Sequence, residues 1–194
     1  MKKFLSVFWA VLICLSFTAC NSNKDAQKDP GTSEKEMYDT ISSLVSDNAN
    51  CVLNIFDAKT LSYSGEPVYG NVYKTDDATF ENYSAFEDYI RSIYCKQEAD
   101  RLLYNFPDEG KSLYLNVDGD LCIDLDNVLS RGYFRDLNNF SLTIDKFSNI
   151  DCSFTVKTTE TEPGDPQDDL TTEYTVSASA VLENGKWKLE KMFR

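Results

Sequence analysis

The chain has 194 residues, 32 acidic against 19 basic, and no histidine. A net charge of −13 argues against nucleic acid and against adhesion to anionic lipid heads. Without histidine, Ser-His-Asp and Cys-His nucleophile systems, His-ligated zinc and the usual general base at neutral pH are all excluded.

The first element is an address. Met1-Lys2-Lys3 is a short basic start, and an apolar run from Phe4 to Phe17 follows, broken only by Ser6 and Ser16, before Thr18-Ala19-Cys20. A basic start, an apolar run of this length and small residues before a cut describe a secretory signal peptide over residues 1–19. The run is short of the roughly 18–20 apolar residues that a spanning helix needs. Thr18, Ala19 and Cys20 resemble the bacterial lipobox, with Phe17 standing where Leu is usual. The resemblance implies that the Cys20 thiol receives diacylglycerol and its freed amine is open to acylation. Two or three acyl chains, at about 0.8 kcal/mol per buried methylene, hold a chain where one would not. The expectation is therefore a lipoprotein anchored through Cys20 on the extracytoplasmic face of a cell membrane. Asn21 stands where some two-membrane bacteria carry a retention Asp. Ordinary secretory cleavage near Ala19, with Cys20 a bystander, is one alternative, and an uncleaved membrane anchor is the other. Loss of Lys2 and Lys3 with the leader takes the charge to −15.

Residues 20–33 read as the lipidated cysteine and a polar tether with Pro30-Gly31 and no apolar period. Residues 34–194 are long enough for one domain with a real core. Glu34 to Phe56 predicts a helix, with Ser33 as cap and Glu34 and Glu36 where the dipole favours negative charge. Met37, Ile41, Leu44, Val45, Val52, Ile55 and Phe56 recur at helical spacing, and Asp47-Asn48 is a candidate break. Leu61 to Lys74 is irregular, with a turn at Ser64-Gly65-Glu66-Pro67 and a short edge strand around Val68, Val72 and Tyr73. A second helix is expected over Ser84 to Asn105. Phe86, Tyr89, Ile90, Ile93 and Tyr94 lie on one face, and Ser84 with Glu87 has capping-box form.

The remainder reads as β. Leu113, Leu115 and Val117 alternate, as do Leu121, Ile123 and Leu125, around an Asp118-Gly119 turn. Phe140, Leu142 and Ile144 make a third strand, and Ile150, Cys152, Phe154 and Val156 a fourth. Tyr174, Val176, Ala178, Ala180 and Leu182 make a fifth, joined through Asn184-Gly185 to a sixth with Trp187 and Leu189. The fold expected is α+β, with N-terminal helices packed on one curved antiparallel sheet.

Cys51, Cys95, Cys122 and Cys152 form no CxxC pair, so a metal knuckle is not indicated. Exported domains can hold disulfides. Of the three connectivities, Cys51–Cys95 would join two helices and Cys122–Cys152 two strands; four buried free thiols are the other possibility. Asn116-Val117-Asp118-Gly119-Asp120 invites a calcium loop, but the sixth position is Leu121 where that loop needs glycine. No metal or cofactor is expected. Thr158 to Thr172 reads as a long acidic loop carrying Glu160, Glu162, Asp165, Asp168 and Asp169. It is one candidate partner-binding loop, and the Asp118, Gly119, Asp120 hairpin is the other.

The order of these features resembles one family. A long N-terminal helix precedes Pro67-Val68-Tyr69, then a helix entered by Tyr83-Ser84-Ala85-Phe86-Glu87-Asp88-Tyr89-Ile90. Leu102-Leu103, the Val117-Asp118-Gly119-Asp120-Leu121 hairpin and Glu183-Asn184-Gly185-Lys186-Trp187-Lys188-Leu189 follow. This is similar to the IseA DL-endopeptidase inhibitors of Gram-positive bacteria, whose founding type is secreted rather than lipidated. The resemblance implies a monomeric, non-catalytic domain that blocks the clefts of NlpC-type wall-cleaving cysteine peptidases. Two rival expectations stand beside it. One is a ligand-binding module of cystatin-like or nuclear-transport-factor-2-like shape, holding a small apolar or wall-derived molecule on a concave sheet. The other is an enzyme working through paired carboxylates alone.

Overall fold

A capping box starts the first helix. The Ser33 hydroxyl accepts the Glu36 N–H and the Glu36 carboxylate accepts the Ser33 N–H, which satisfies two donors that a helix start leaves orphaned. This computed structural model describes residues 33–129, 134–162 and 170–194. The leader, Cys20 and the tether up to residue 32 lie outside them. Helix α1 (Glu34–Cys51) runs through Asp47-Asn48 without a break and widens into a π-helix, Val52–Phe56. The wide turn leaves Val52, Leu53, Ile55 and Phe56 all buried.

The second helical region departs from expectation. It is two helices, α2 (Tyr83–Ile93) and α3 (Lys96–Tyr104), with Tyr94 extended between them. Asn82, not Ser84, caps α2, its side-chain oxygen accepting the Ala85 N–H at 2.9 Å. Glu87 turns instead to Arg91, 2.8 Å away. The break has a tertiary cause: the Cys95 N–H donates to the Leu189 carbonyl at 2.8 Å, outside any helix.

Among the described residues eight strands form two antiparallel sheets rather than the single one expected. Strands β1 (Val72–Lys74), β2 (Tyr114–Val117) and β3 (Asp120–Asp124) form a three-stranded sheet in the order β1-β3-β2. The hairpin does not continue into later strands because β3 has β1 on its other side, and the chain turns away beyond it. The Asp124 carboxylate accepts the Asp126 N–H and the Asn127 amide, which fixes a 3-10 turn over Leu125–Asn127.

The second sheet contains β4 (Phe134–Arg135), β5 (Ser141–Phe147), β6 (Asp151–Glu162), β7 (Leu170–Glu183) and β8 (Lys186–Leu189), in the order β4-β6-β7-β8. Strand β5 shares the β6 edge with β4. Helix α1 packs on β5 and β8, and α2 on β8 and β3, so α2 bridges the two sheets in an α+β fold.

Side-chain alternation along β6 and β7 explains which face is covered. Cys152, Phe154, Val156 and Ala180 are at most 1% exposed, while Ser153, Lys157, Thr159 and Thr175 face solvent. The opposite end of the core is aromatic. Phe56 meets Phe106 edge-on at 5.2 Å and Tyr114 at 5.7 Å, geometries that contribute about 0.5–1.5 kcal/mol per pair beyond area burial. The Tyr114 hydroxyl donates to the Ile55 carbonyl and accepts the Leu61 N–H, so its polar tip is satisfied inside the core.

The chain end acts as a latch over this core. The Phe193 carbonyl accepts the Asn48 amide at 2.9 Å, the Phe193 N–H donates to Asn48 Oδ1 at 3.3 Å, and the Met192 N–H donates to Glu98 at 2.8 Å. Asn48 is fully buried, and its oxygen also accepts the Tyr94 hydroxyl.

Candidate functional site

The two loops named by sequence behave differently. Asp118 (φ 55°) and Gly119 (φ 95°) make the tight turn between β2 and β3, the pairing that left-handed residues favour in a two-residue hairpin. Its tip is not a free wedge. The Gly119 carbonyl accepts the Tyr83 N–H at the start of α2, Asn116 accepts the Gly119 N–H, and Asp120 pairs with Lys74 at 2.7 Å. Asp118 remains exposed.

The expected loop from Thr158 to Thr172 is mostly strand. Strands β6 and β7 stay in register up to Glu162 and Leu170, so the connection shortens to residues 163–169. The threonines at 158, 159, 161, 171 and 172 account for this: β-branched side chains suit a pleated surface, and that preference outweighs the flanking acids. Glu160 is held rather than displayed. Its carboxylate lies 2.5 Å from Arg135 Nε, and the guanidinium stacks 3.6 Å from the centroid of the Tyr174 ring. Glu162 stands at the last pair of β6, while Asp165, Asp168 and Asp169 lie outside the described residues.

All four domain cysteines are free thiols, and neither expected bridge is formed. Cys122 lies on β3 of one sheet and Cys152 on β6 of the other. Cys51 and Cys95 fail for a local reason. Tyr94 is extended, so neighbouring side chains diverge. The Tyr94 ring enters the core and bonds Asn48, while the Cys95 thiol points away to the Glu190 carbonyl at 3.6 Å. Burial pushes the Cys51 thiol up to about 12, against hydrogen bonds from Tyr94 and Tyr89 that pull it down. A buried protonated thiol acts as a small apolar group rather than a nucleophile.

Sequence reasoning missed a cleft of about 440 Å³ where the chain leaves β8. Cys95 and Gln97 line one side, Ser177, Ala178 and Ser179 of β7 another, and Glu190 to Phe193 the third. The Glu190 N–H donates to the Ser179 carbonyl at 3.0 Å, and the Glu190 carboxylate accepts the Ser179 hydroxyl. Glu190 is the one carboxylate among the described lining residues, so the facing pair that glycoside hydrolysis needs is not assembled there. The signal was present in the register: Asn184-Gly185 sets Glu183 against Lys186, and pairing stops at Ala180 and Leu189.

Among the described residues no helix is long and apolar enough to cross a membrane, and no group of three or more His, Cys, Asp or Glu side chains is placed to hold a metal ion. No family model matches the sequence, and no curated protein matches it either.

Proposed function

We propose that this chain is a non-catalytic lipoprotein, anchored through Cys20 on the extracytoplasmic face of a cell membrane, that binds and inhibits peptidoglycan DL-endopeptidases of the NlpC type. The partner class comes from the sequence resemblance. One structural observation favours a protein partner over a small ligand: the inward face of the five-stranded sheet is filled along β6 and β8. Phe154, Val156 and Leu189 are fully buried there, where a cystatin-like or nuclear-transport-factor-2-like ligand module would keep a concave face open. Recognition is then left to edges, loops and the cleft beside β8. A stiff scaffold with such surfaces suffices to block an enzyme cleft, since occlusion asks for shape and hydrogen bonding rather than catalytic side chains.

The test is wall clearing. Purified protein is mixed with a peptidoglycan DL-endopeptidase and cell-wall turbidity is followed. Slower clearing at equimolar protein supports the proposal; clearing unchanged at several-fold molar excess contradicts it.

A further inference from the structure

Strand β7 has 14 residues and β8 has four. Their pairing covers only Ala180 to Glu183, and the Glu190 N–H extends it by one bond to the Ser179 carbonyl. Strand β6 occupies the whole opposite edge. Among the described residues no strand lies beyond β7 from Thr171 to Ser177. Strand parity tells which backbone groups this leaves open. The Leu182 N–H turns towards the β6 side, donating to Ile150, whereas the Ser179 carbonyl turns away from it to Glu190. Hydrogen-bonding direction alternates along a strand, so Glu173, Thr175 and Ser177 each aim one N–H and one C=O outward.

Proteins shield such edges with proline, bulges or several charges. Thr171 to Ala178 contains neither proline nor glycine and a single charge, Glu173. The sheet's register shift lies elsewhere, in β5 between Ile144 and Lys146. On the inward face Tyr174, Val176 and Ala178 are half-buried, and the strip runs directly into the cleft at Ala178 and Met192.

We infer that this edge is a strand-addition site, taking an extended, lysine- or arginine-bearing segment of a partner polypeptide, one side chain of which enters the cleft. Backbone pairing along an edge with alternate side chains in pockets is an established way to hold an extended peptide. Charge selects the occupant. Exposed carboxylates stand at both ends of the strip, Glu173 and Glu190. Lys157, 3.6 Å from Glu173, and Lys191 on the cleft offset them locally, but the chain as a whole carries −13. A second copy would bring the same excess against itself, whereas a basic segment is drawn in.

The inference rests on the reading as a partner-binding protein, and the two fail separately because its test uses no peptidase. Full-length protein is followed by hydrogen exchange with an eight-residue peptide alternating Lys and Val, and with a Glu-Val peptide of the same length. The Glu173, Thr175 and Ser177 amides exchange fast in the free protein and slow at least tenfold with the Lys-Val peptide, and not with Glu-Val. Thr175→Pro removes an outward donor without touching the β6 ladder, so a folded variant, checked by its thermal transition, weakens peptide binding at least tenfold. Ser177→Pro serves the same purpose if the first variant does not fold. No protection at millimolar Lys-Val peptide, equal protection by Glu-Val, or unchanged binding by a folded proline variant overturns the proposal. So does protection without peptide that rises with protein concentration, which would mean that a second copy occupies the edge.

Discussion

Replacing Asn48 tests the latch at its centre. The side chain is fully buried and makes three hydrogen bonds, from its amide to the Phe193 carbonyl and to its oxygen from the Phe193 N–H and the Tyr94 hydroxyl. Asn48→Ala leaves the Phe193 carbonyl and N–H without these bonds and the Tyr94 hydroxyl with only the Cys51 thiol beside it, with Tyr94 1% and Phe193 7% exposed. An orphaned buried polar group costs roughly 1–3 kcal/mol. Some relaxation of the chain end lowers the sum, so the expected loss is about 3–5 kcal/mol, a large part of a typical domain's 5–15 kcal/mol. Urea unfolding at pH 7 reads this as a shift in midpoint at nearly constant slope. Tyr94→Phe removes one of the three bonds and costs about 1 kcal/mol. The double variant is then less destabilised than the sum of the singles by about 1 kcal/mol, because both lose the same bond. A cost below about 1 kcal/mol for Asn48→Ala, or strict additivity with Tyr94→Phe, would mean that Asn48 does not hold the chain end in place.

Other outcomes follow from the same residues. Of the four domain thiols, only Cys95 reacts quickly with a thiol reagent in the folded protein, since Cys51, Cys122 and Cys152 are buried; all four react after denaturation without reductant, and fewer would indicate a bridge. Alkali should unfold the domain cooperatively. Burial pushes Cys51, Tyr83 and Tyr89 up to about 12 from ordinary values of 9.0 and 10.0, and raises Tyr94 and Tyr114 in the same direction. Folded values above unfolded ones mean that this stability is complete below about pH 9 and is lost as pH rises towards 12, measurable by tyrosinate absorbance alongside circular dichroism. Gly119→Ala meets no atom within 4 Å but must adopt a φ of 95°, so it costs about 1–3 kcal/mol through backbone strain alone, seen as a lowered thermal midpoint.

What was legible in the sequence was what is settled by near neighbours. Ser33 and Glu36 cap a helix by themselves, and Asp118-Gly119 and Asn184-Gly185 take the left-handed turns their residue types favour, with φ of 53° and 75° in the second. What was not legible depends on distant partners. The α2–α3 break is set by the Leu189 carbonyl, 94 residues beyond Cys95 in the chain. Ile150 fits the alternation of its strand yet is 66% exposed, because the Ser148 hydroxyl accepts the N–H groups of Ile150 and Asp151 and holds a turn there. The cysteine pairing depended on placements that local spacing does not set: Cys122 lies in the three-stranded sheet and Cys152 in the five-stranded one, and all four domain thiols are free. The acidic segment hid its strands because charge was the louder feature, while the threonines decided the backbone. The cleft and the open β7 edge arise from unequal strand lengths: the Asn184-Gly185 turn sets the register but not where β8 ends.

The proposed inhibition by stoichiometric occlusion can be read from a titration. A purified NlpC-type DL-endopeptidase is held at fixed concentration with a soluble peptidoglycan fragment, and residual activity is measured against added protein. Activity is expected to fall towards zero near one copy per enzyme, with no fragment cleavage by the protein alone. Undiminished activity past several equivalents, or turnover of the fragment by the protein itself, would contradict it.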